Sequence, residues 1–156
     1  MRARGYGYTI IELLVVMSVL GILATAAMPL IELTVKRNKE RELKQALWEM
    51  RRAIDAYKQA YDEGRIARAA DASGYPPSLA VLVAGVPSAA ESGKMLYFLR
   101  RLPRDPFAAA DAAAEQSWGL RSYASTAEEP KPGADVFDIH SKSDGIGMNG
   151  IPYRQW

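Results

Sequence analysis

The segment GYGYTIIELLVVMSVLGILATAAMPLIELTV, residues 5–35, decides the fold of this chain. It contains nineteen consecutive residues without a charge, from Leu13 to Ile31. A helix of that length covers roughly 28 Å, which is close to the thickness of a bilayer core. One acidic residue, Glu12, stands at the N-terminal edge of the run. Because a carboxylate at membrane depth costs about 2.5–3.5 kcal/mol, Glu12 needs either a partner or a function.

Three interpretations of the apolar run compete: a secretory signal peptide, a plain membrane anchor, and an anchor with a further function. The stretch ATAAMP, residues 24–29, offers the small residues after which a signal peptidase cleaves. The run is long for a signal peptide, however, and Glu12 lies where such a peptide is purely apolar. Arg2 and Arg4 favour a cytoplasmic N-terminus, although the basic residues at 36–39 weaken this asymmetry.

The segment that follows, residues 32–63, contains neither glycine nor proline. Its apolar residues recur at steps of 4, 3, 4, 3 and 4, which places them on one face of a helix. They are Leu43, Leu47, Met50, Ile54, Tyr57 and Tyr61. We therefore predict one helix from about Tyr8 to Glu63, kinked or locally melted at Pro29. The apolar face either packs on the chain's own head or forms a seam with another chain.

The composition excludes several functional classes. A chain of 156 residues suffices for one domain and an appendage. Cysteine is absent, which excludes disulfides, thiolate catalysis and thiolate metal sites, and the net charge of +2 argues against a nucleic-acid partner. The single histidine, His140, is flanked by Asp138 and Ser141. We expect strand alternation to separate His140 from both neighbours, and we predict no enzymatic activity.

Short elements are predicted in the remainder of the chain. Ser78 is expected to cap a short helix. The sequence LPRDP, residues 102–106, fixes the backbone at two prolines and predicts an ordered turn. Residues 118–123 and 136–139 alternate as short strands do. The alanine-rich insert at 108–116 is either a helical turn or a mobile loop.

The N-terminal residues resemble the class III signal of type IV pilins and type II secretion pseudopilins. In that family a prepilin peptidase cleaves after a glycine, the new first residue is N-methylated, and the fifth residue after the cut is glutamate. The resemblance implies cleavage between Gly7 and Tyr8, methylation of the Tyr8 amine, and an assembly role for Glu12. Pro29 matches the family's helix-breaking proline. A free amino terminus on a neighbouring subunit is a natural ion-pair partner for Glu12.

The head resembles that of the major pseudopilin of type II secretion. The segments that carry this resemblance are GYPPSLAVLV (74–83), LRRLPRDPF (99–107), WGLRSY (118–123) and DVFDIHSKSDGIGMNG (135–150). The implied fold is α+β, with a long N-terminal helix, membrane-spanning in its first half, packed on a small antiparallel sheet. The implied divisions are a cleaved leader (1–7), a transmembrane and polymerisation helix (8–35), an amphipathic half-helix (36–63) and a globular periplasmic head (64–156).

The resemblance implies a structural subunit of the type II secretion pseudopilus, which polymerises from the bacterial inner membrane and drives protein export across the outer membrane. Such a subunit crosses the inner membrane once, with its N-terminus in the cytoplasm and its head in the periplasm. Its implied partners are copies of itself, other pseudopilins, the inner-membrane assembly platform and the prepilin peptidase. One alternative is a type IV pilin that forms a surface fibre. Another is a single-span periplasmic binding protein, against which Glu12 argues, since a plain anchor has no use for it.

The loop SKSDGIGMNG, residues 141–150, matches in position the calcium-binding loop of major pseudopilins. The resemblance implies Asp144 as the carboxylate ligand and places Ser141 on a serine near it, and the loop offers Asn149 as a weaker oxygen donor. Calcium takes about six to eight oxygens, usually several of them carboxylates, and this loop contains one carboxylate. The alternative is a glycine-rich turn that is held by packing of the C-terminal residues GIPYRQW, 150–156.

Overall fold

A long N-terminal helix dominates the structure, a computed structural model that describes residues 7–68 and 72–156. Helix α1 spans Ile10–Asp62, within two residues of the predicted bounds at either end. By length and composition, it contains a stretch that is long and apolar enough to cross a membrane. The chain forms two compact units, of which the first ends at Asn38 and the second begins at Lys39. The apolar stretch therefore belongs to one unit and the head to the other.

The backbone of α1 stays helical through position 29, so the predicted local melting at Pro29 is not observed. A proline inside a helix removes one backbone hydrogen bond and crowds the preceding turn. Membrane-spanning helices tolerate this change because neighbouring groups satisfy the freed carbonyl. A kink at Pro29 without loss of helix stays a prediction.

The second half of α1 provides one wall of the head's hydrophobic core. The predicted apolar stripe is buried there, with Tyr61 at its edge only partly covered. The facing wall is made by apolar side chains that come later in the chain: Ile66, Leu79, Leu82, Leu99, Trp118, Val136, Ile139 and Tyr153. The stripe therefore packs on the chain's own head, which was one of its two predicted arrangements.

A short helix and small antiparallel sheets complete the head, so the fold is α+β as predicted. Helix α2 spans Leu79–Ala84. Ser78 precedes it with extended backbone but without a capping hydrogen bond from its side chain, and Gly85, at a φ of 79°, ends it. The strands are β1 (Val86–Pro87) paired with β2 (Met95–Leu96), and β3 (Trp118–Arg121) paired with β4 (Asp138–Ser141).

The strand predictions are right in type and partly wrong in extent. β3 begins at Trp118 as predicted but ends at Arg121, where the chain enters a turn. β4 lies two residues later than the predicted range 136–139. Val136 is buried in the core and donates its N–H to the Pro76 carbonyl, so its apolar character reflects packing and not strand pairing. The β1–β2 pair was not predicted, because strands of two residues offer no alternation to detect.

The predicted turn at LPRDP is ordered around a buried carboxylate. Asp105 is 1% exposed, and its side chain accepts hydrogen bonds from the Ser141 hydroxyl at 2.5 Å and the Phe107 N–H at 2.8 Å. Its own N–H donates to Ser117 Oγ at 3.1 Å. The alanine-rich insert ends at this point in a 3₁₀ turn, Glu115–Ser117. Asp105 thus fastens the turn to that 3₁₀ turn and to the end of β4.

Candidate functional site

At the start of α1, Thr9 and Glu12 form a reciprocal pair of hydrogen bonds. The Thr9 N–H donates to Glu12 Oε2 at 3.4 Å, and the Glu12 N–H donates to Thr9 Oγ1 at 3.3 Å. The Leu13 N–H donates to the Thr9 carbonyl at 3.2 Å, which makes Thr9 the N-cap of the helix. This arrangement is a capping box, in which side chains three residues apart satisfy backbone N–H groups that the helix leaves unpaired.

The capping box corrects one argument about Glu12. On sequence alone, a plain anchor had no use for this carboxylate. The structure shows a use within a single chain, because Glu12 satisfies a backbone N–H at the positive end of the helix dipole. Glu12 therefore does not by itself separate an assembling subunit from an anchor. A bond of 3.4 Å is weak, however, and a charged donor on another chain would bind the carboxylate more strongly.

The predicted cleavage site lies on an open segment. Tyr8 is 79% exposed, and among the described residues no atom beyond the chain neighbours of Gly7 lies within 4 Å of the position that a Cβ on Gly7 would occupy. The described residues therefore leave the Gly7–Tyr8 bond uncovered, while cleavage and methylation stay predictions. The leader residues 1–6, with Arg2 and Arg4, lie outside the described residues.

The large apolar side chains of the first half of α1 are exposed on all sides of the helix. Between Leu13 and Val35 the exposed fractions of the large hydrophobic side chains range from 49% to 70%. A continuous apolar surface of this size marks a site of contact with a membrane or with another protein. Lipid or a bundle of similar helices would cover it.

The three predicted calcium ligands of the C-terminal loop have different surroundings. Ser141 is fully buried, donates its hydroxyl to Asp105 and accepts a backbone N–H from within the loop. Asn149 and Asp144 are both exposed. Asn149 Oδ1 accepts the Ile151 N–H at 3.1 Å. Across residues 7–68 and 72–156, no group of three or more His, Asp or Glu side chains is placed to hold a metal ion. Calcium binding by these three residues stays a prediction.

A different carboxylate contacts the same loop. Glu40 of α1 is 8% exposed, and its Oε1 accepts hydrogen bonds from the Met148 N–H and the Tyr153 hydroxyl, both at 2.9 Å. The Tyr153 ring stacks on Phe107 with a centroid distance of 4.2 Å and meets Trp156 edge-on at 5.1 Å. Burial, followed by the hydrogen bond and the charge of Glu40, raises the pKa of Tyr153 to about 12.

Sequence reasoning missed Glu40 because a charged residue beside an apolar stripe predicts an exposed side chain. The spacing of the stripe nevertheless contains the signal. One step of three residues back from Leu43 arrives at Glu40, which continues the alternation of steps of 3 and 4. A charged residue in register with a buried stripe must have polar partners inside the head.

An ion-pair cluster on β4 corrects the prediction for His140. Asp138 and His140 alternate with two buried residues of β4, so the two lie on the same face of the strand. His140 is therefore separated from Ser141 but not from Asp138. Asp138 pairs with Arg51 of α1 at 2.8 Å and with Arg121 of β3 at 3.3 Å. Burial lowers the pKa of His140 and so favours the neutral form of this neighbour of the ion-pair network.

Comparison with known proteins bears on the N-terminal segment. No curated protein and no solved structure matches the chain significantly. Residues 2–28, in contrast, match the prokaryotic N-terminal methylation motif. The matched segment contains the Gly7–Tyr8 bond, Thr9 and Glu12. This chain therefore carries, at its N-terminus, the class III signal that is typical of type IV pilin-like structural subunits.

Proposed function

We propose that this chain is a structural subunit of the type II secretion pseudopilus, which is stored in the bacterial inner membrane and polymerises to drive protein export across the outer membrane. The observation that carries the proposal is the methylation motif on a helix whose apolar half is exposed. Lipid covers this half before assembly, and a bundle of identical helices covers it in the filament. The head segments at 74–83, 99–107 and 135–150, which resemble those of major pseudopilins, favour this branch over surface pilins.

Glu12 distinguishes the stored state from the assembled state in this proposal. In the stored subunit its carboxylate accepts the Thr9 N–H through a long hydrogen bond. In the filament the amino terminus of Tyr8 on a neighbouring copy is a charged donor, and an ion pair at low dielectric is stronger than a long bond to an amide. This amine exists only after the leader is removed, so processing has to precede assembly.

Intact-mass spectrometry of the membrane-extracted protein tests the first step. In cells with an active prepilin peptidase we expect loss of residues 1–7 and one methyl group on the Tyr8 amine. The same measurement in peptidase-deficient cells is the control and should return the uncleaved chain. An uncleaved chain in peptidase-competent cells, or a cut near Ala27, would overturn the proposal.

Deletion of the gene separates the proposed function from its alternatives. A pseudopilus subunit is required for export of folded proteins from the periplasm, so these proteins should accumulate there. Loss of surface fibres with intact export would identify a type IV pilin instead. A deletion that changes neither phenotype would favour a single-span binding protein.

A further inference from the structure

We propose that Glu40 holds the C-terminal segment 145–156 against α1 and so replaces a bound calcium ion. The stability of the folded head of this chain is then independent of calcium. We call residues 145–156 the C-terminal strap. A metal stabilises such a loop by joining oxygen atoms from separate segments. In this chain, hydrogen bonds to Glu40 and Asp105 already make those connections.

The oxygens next to the strap are occupied by protein donors. Each side-chain oxygen of Asp105 accepts one hydrogen bond, Oδ2 from the Ser141 hydroxyl and Oδ1 from the Phe107 N–H. Since both Asp105 and Ser141 are buried, a metal that displaced this hydrogen bond would leave the Ser141 hydroxyl without its acceptor. Asp144 is the one carboxylate within the loop sequence 141–150, and it is exposed. A single exposed carboxylate supplies few of the about six oxygen ligands that a calcium site needs.

The strap also forms several hydrogen bonds within itself. The Gly147 N–H donates to the Ile151 carbonyl at 2.9 Å, and the Tyr153 N–H donates to the Gly145 carbonyl at 3.0 Å. Asn149 Oδ1 accepts the Ile151 N–H from the other side of the turn. Hydrogen bonds within the strap therefore fix the conformation of its turn. Contacts with the rest of the chain are needed to hold the strap against the head.

Glu40 provides this attachment at two points of the strap. One carboxylate oxygen accepts both the Met148 N–H, near the tip of the turn, and the Tyr153 hydroxyl, at its base. A hydrogen bond to a carboxylate is about twice as strong as one between neutral groups. Tyr153 is 2% exposed, so its hydroxyl has no access to water that would replace Glu40. The ammonium of Lys44, one turn along α1, lies 4.7 Å from the Trp156 ring and adds a third contact.

The test uses the full-length chain in detergent, with thermal unfolding and amide hydrogen exchange measured in calcium chloride and in EGTA. We expect identical unfolding curves in the two solutions and a protected Met148 amide in both. Glu40→Ala should lower the melting temperature by about 5–15 °C and accelerate exchange at Met148 by about tenfold or more. Glu42→Ala is the matched control, because Glu42 lies two residues away on the same helix and is exposed.

Tyr153→Phe keeps the proposal testable if Glu40→Ala does not fold. This variant removes the hydroxyl donor and retains the ring that stacks on Phe107. We expect a smaller fall in melting temperature, again the same in calcium and in EGTA. A melting temperature of the wild-type chain that falls in EGTA would overturn the proposal. So would a Met148 amide that stays protected in Glu40→Ala.

Discussion

The two halves of α1 differ in where their apolar surface finds a partner. In the second half, one stripe is apolar, and the head of the same chain covers it. In the first half, the large hydrophobic side chains between Leu13 and Ile31 lie on all sides of the helix and are exposed. A one-sided helix can complete its packing within a domain, whereas a helix that is apolar all round needs lipid or other helices. One continuous helix can therefore serve a folded head and a bundle of subunits.

The largest expected effect is at Glu12, in the half whose apolar side chains the chain itself leaves exposed. Glu12→Ala should leave membrane insertion intact or improve it. It should abolish filament assembly, because it removes the carboxylate of the proposed ion pair with the neighbouring amine. Glu12→Gln sharpens the test, since glutamine can keep the capping box while it removes the charge. Membrane fractionation and the yield of sheared filaments measure the two effects. Filaments at wild-type level in Glu12→Gln would assign Glu12 to capping alone.

A large effect is also expected in the half of α1 that packs on the head. Leu43 is completely buried, so Leu43→Ala should lower the free energy of unfolding of the head by about 2–5 kcal/mol. Leu20→Ala is the matched substitution in the exposed half and should leave head stability unchanged. Denaturant unfolding in detergent, followed by tryptophan fluorescence, measures both. An equal fall in the free energy of unfolding in the two variants would contradict the conclusion that only the second half of α1 packs on the head.

The elements of this fold were predictable in proportion to their length. α1 was predicted nearly to its ends because its apolar and helical pattern extends over some fifty residues. A single residue that departs from such a long pattern does not change the prediction. β4 was displaced by two residues because Val136 is buried by packing and mimics a strand residue. The cleavage signal was readable because its parts, Gly7, Tyr8 and Glu12, are neighbours in sequence. Glu40 and Tyr153 are 113 residues apart, and no local pattern joins them.

A smaller effect is expected at high pH. The pKa of Tyr153 rises from 10.0 to about 12 in the folded chain, so the fold favours the neutral hydroxyl. This contribution to stability is complete below about pH 10, where the unfolded chain also holds the proton, and is lost as the pH rises to about 12. Tyr153→Phe should flatten this part of the pH dependence. Denaturant midpoints on either side of pH 10 test it, and equal slopes in both proteins would contradict it.

The smallest effect is expected at Asp144. If Glu40 holds the strap, Asp144→Ala should leave the melting temperature of the head unchanged, with or without calcium. Magnesium is the control ion, because it tolerates an irregular set of oxygen ligands less well than calcium does. A calcium-dependent rise in the wild-type chain that Asp144→Ala abolishes would establish the metal site that the resemblance implies.

The distance in sequence between Glu40 and its partners also sets the order of events during synthesis. The apolar stripe of α1 leaves the ribosome first, while its last covering residues, including Tyr153, arrive 113 residues after Glu40. Contacts between such distant residues form slowly, and an uncovered stripe is prone to association in the meantime. The newly made chain is therefore prone to association until the strap packs against α1. A chaperone that assists this protein would be expected to bind the second half of α1 and to leave when the last residues have folded.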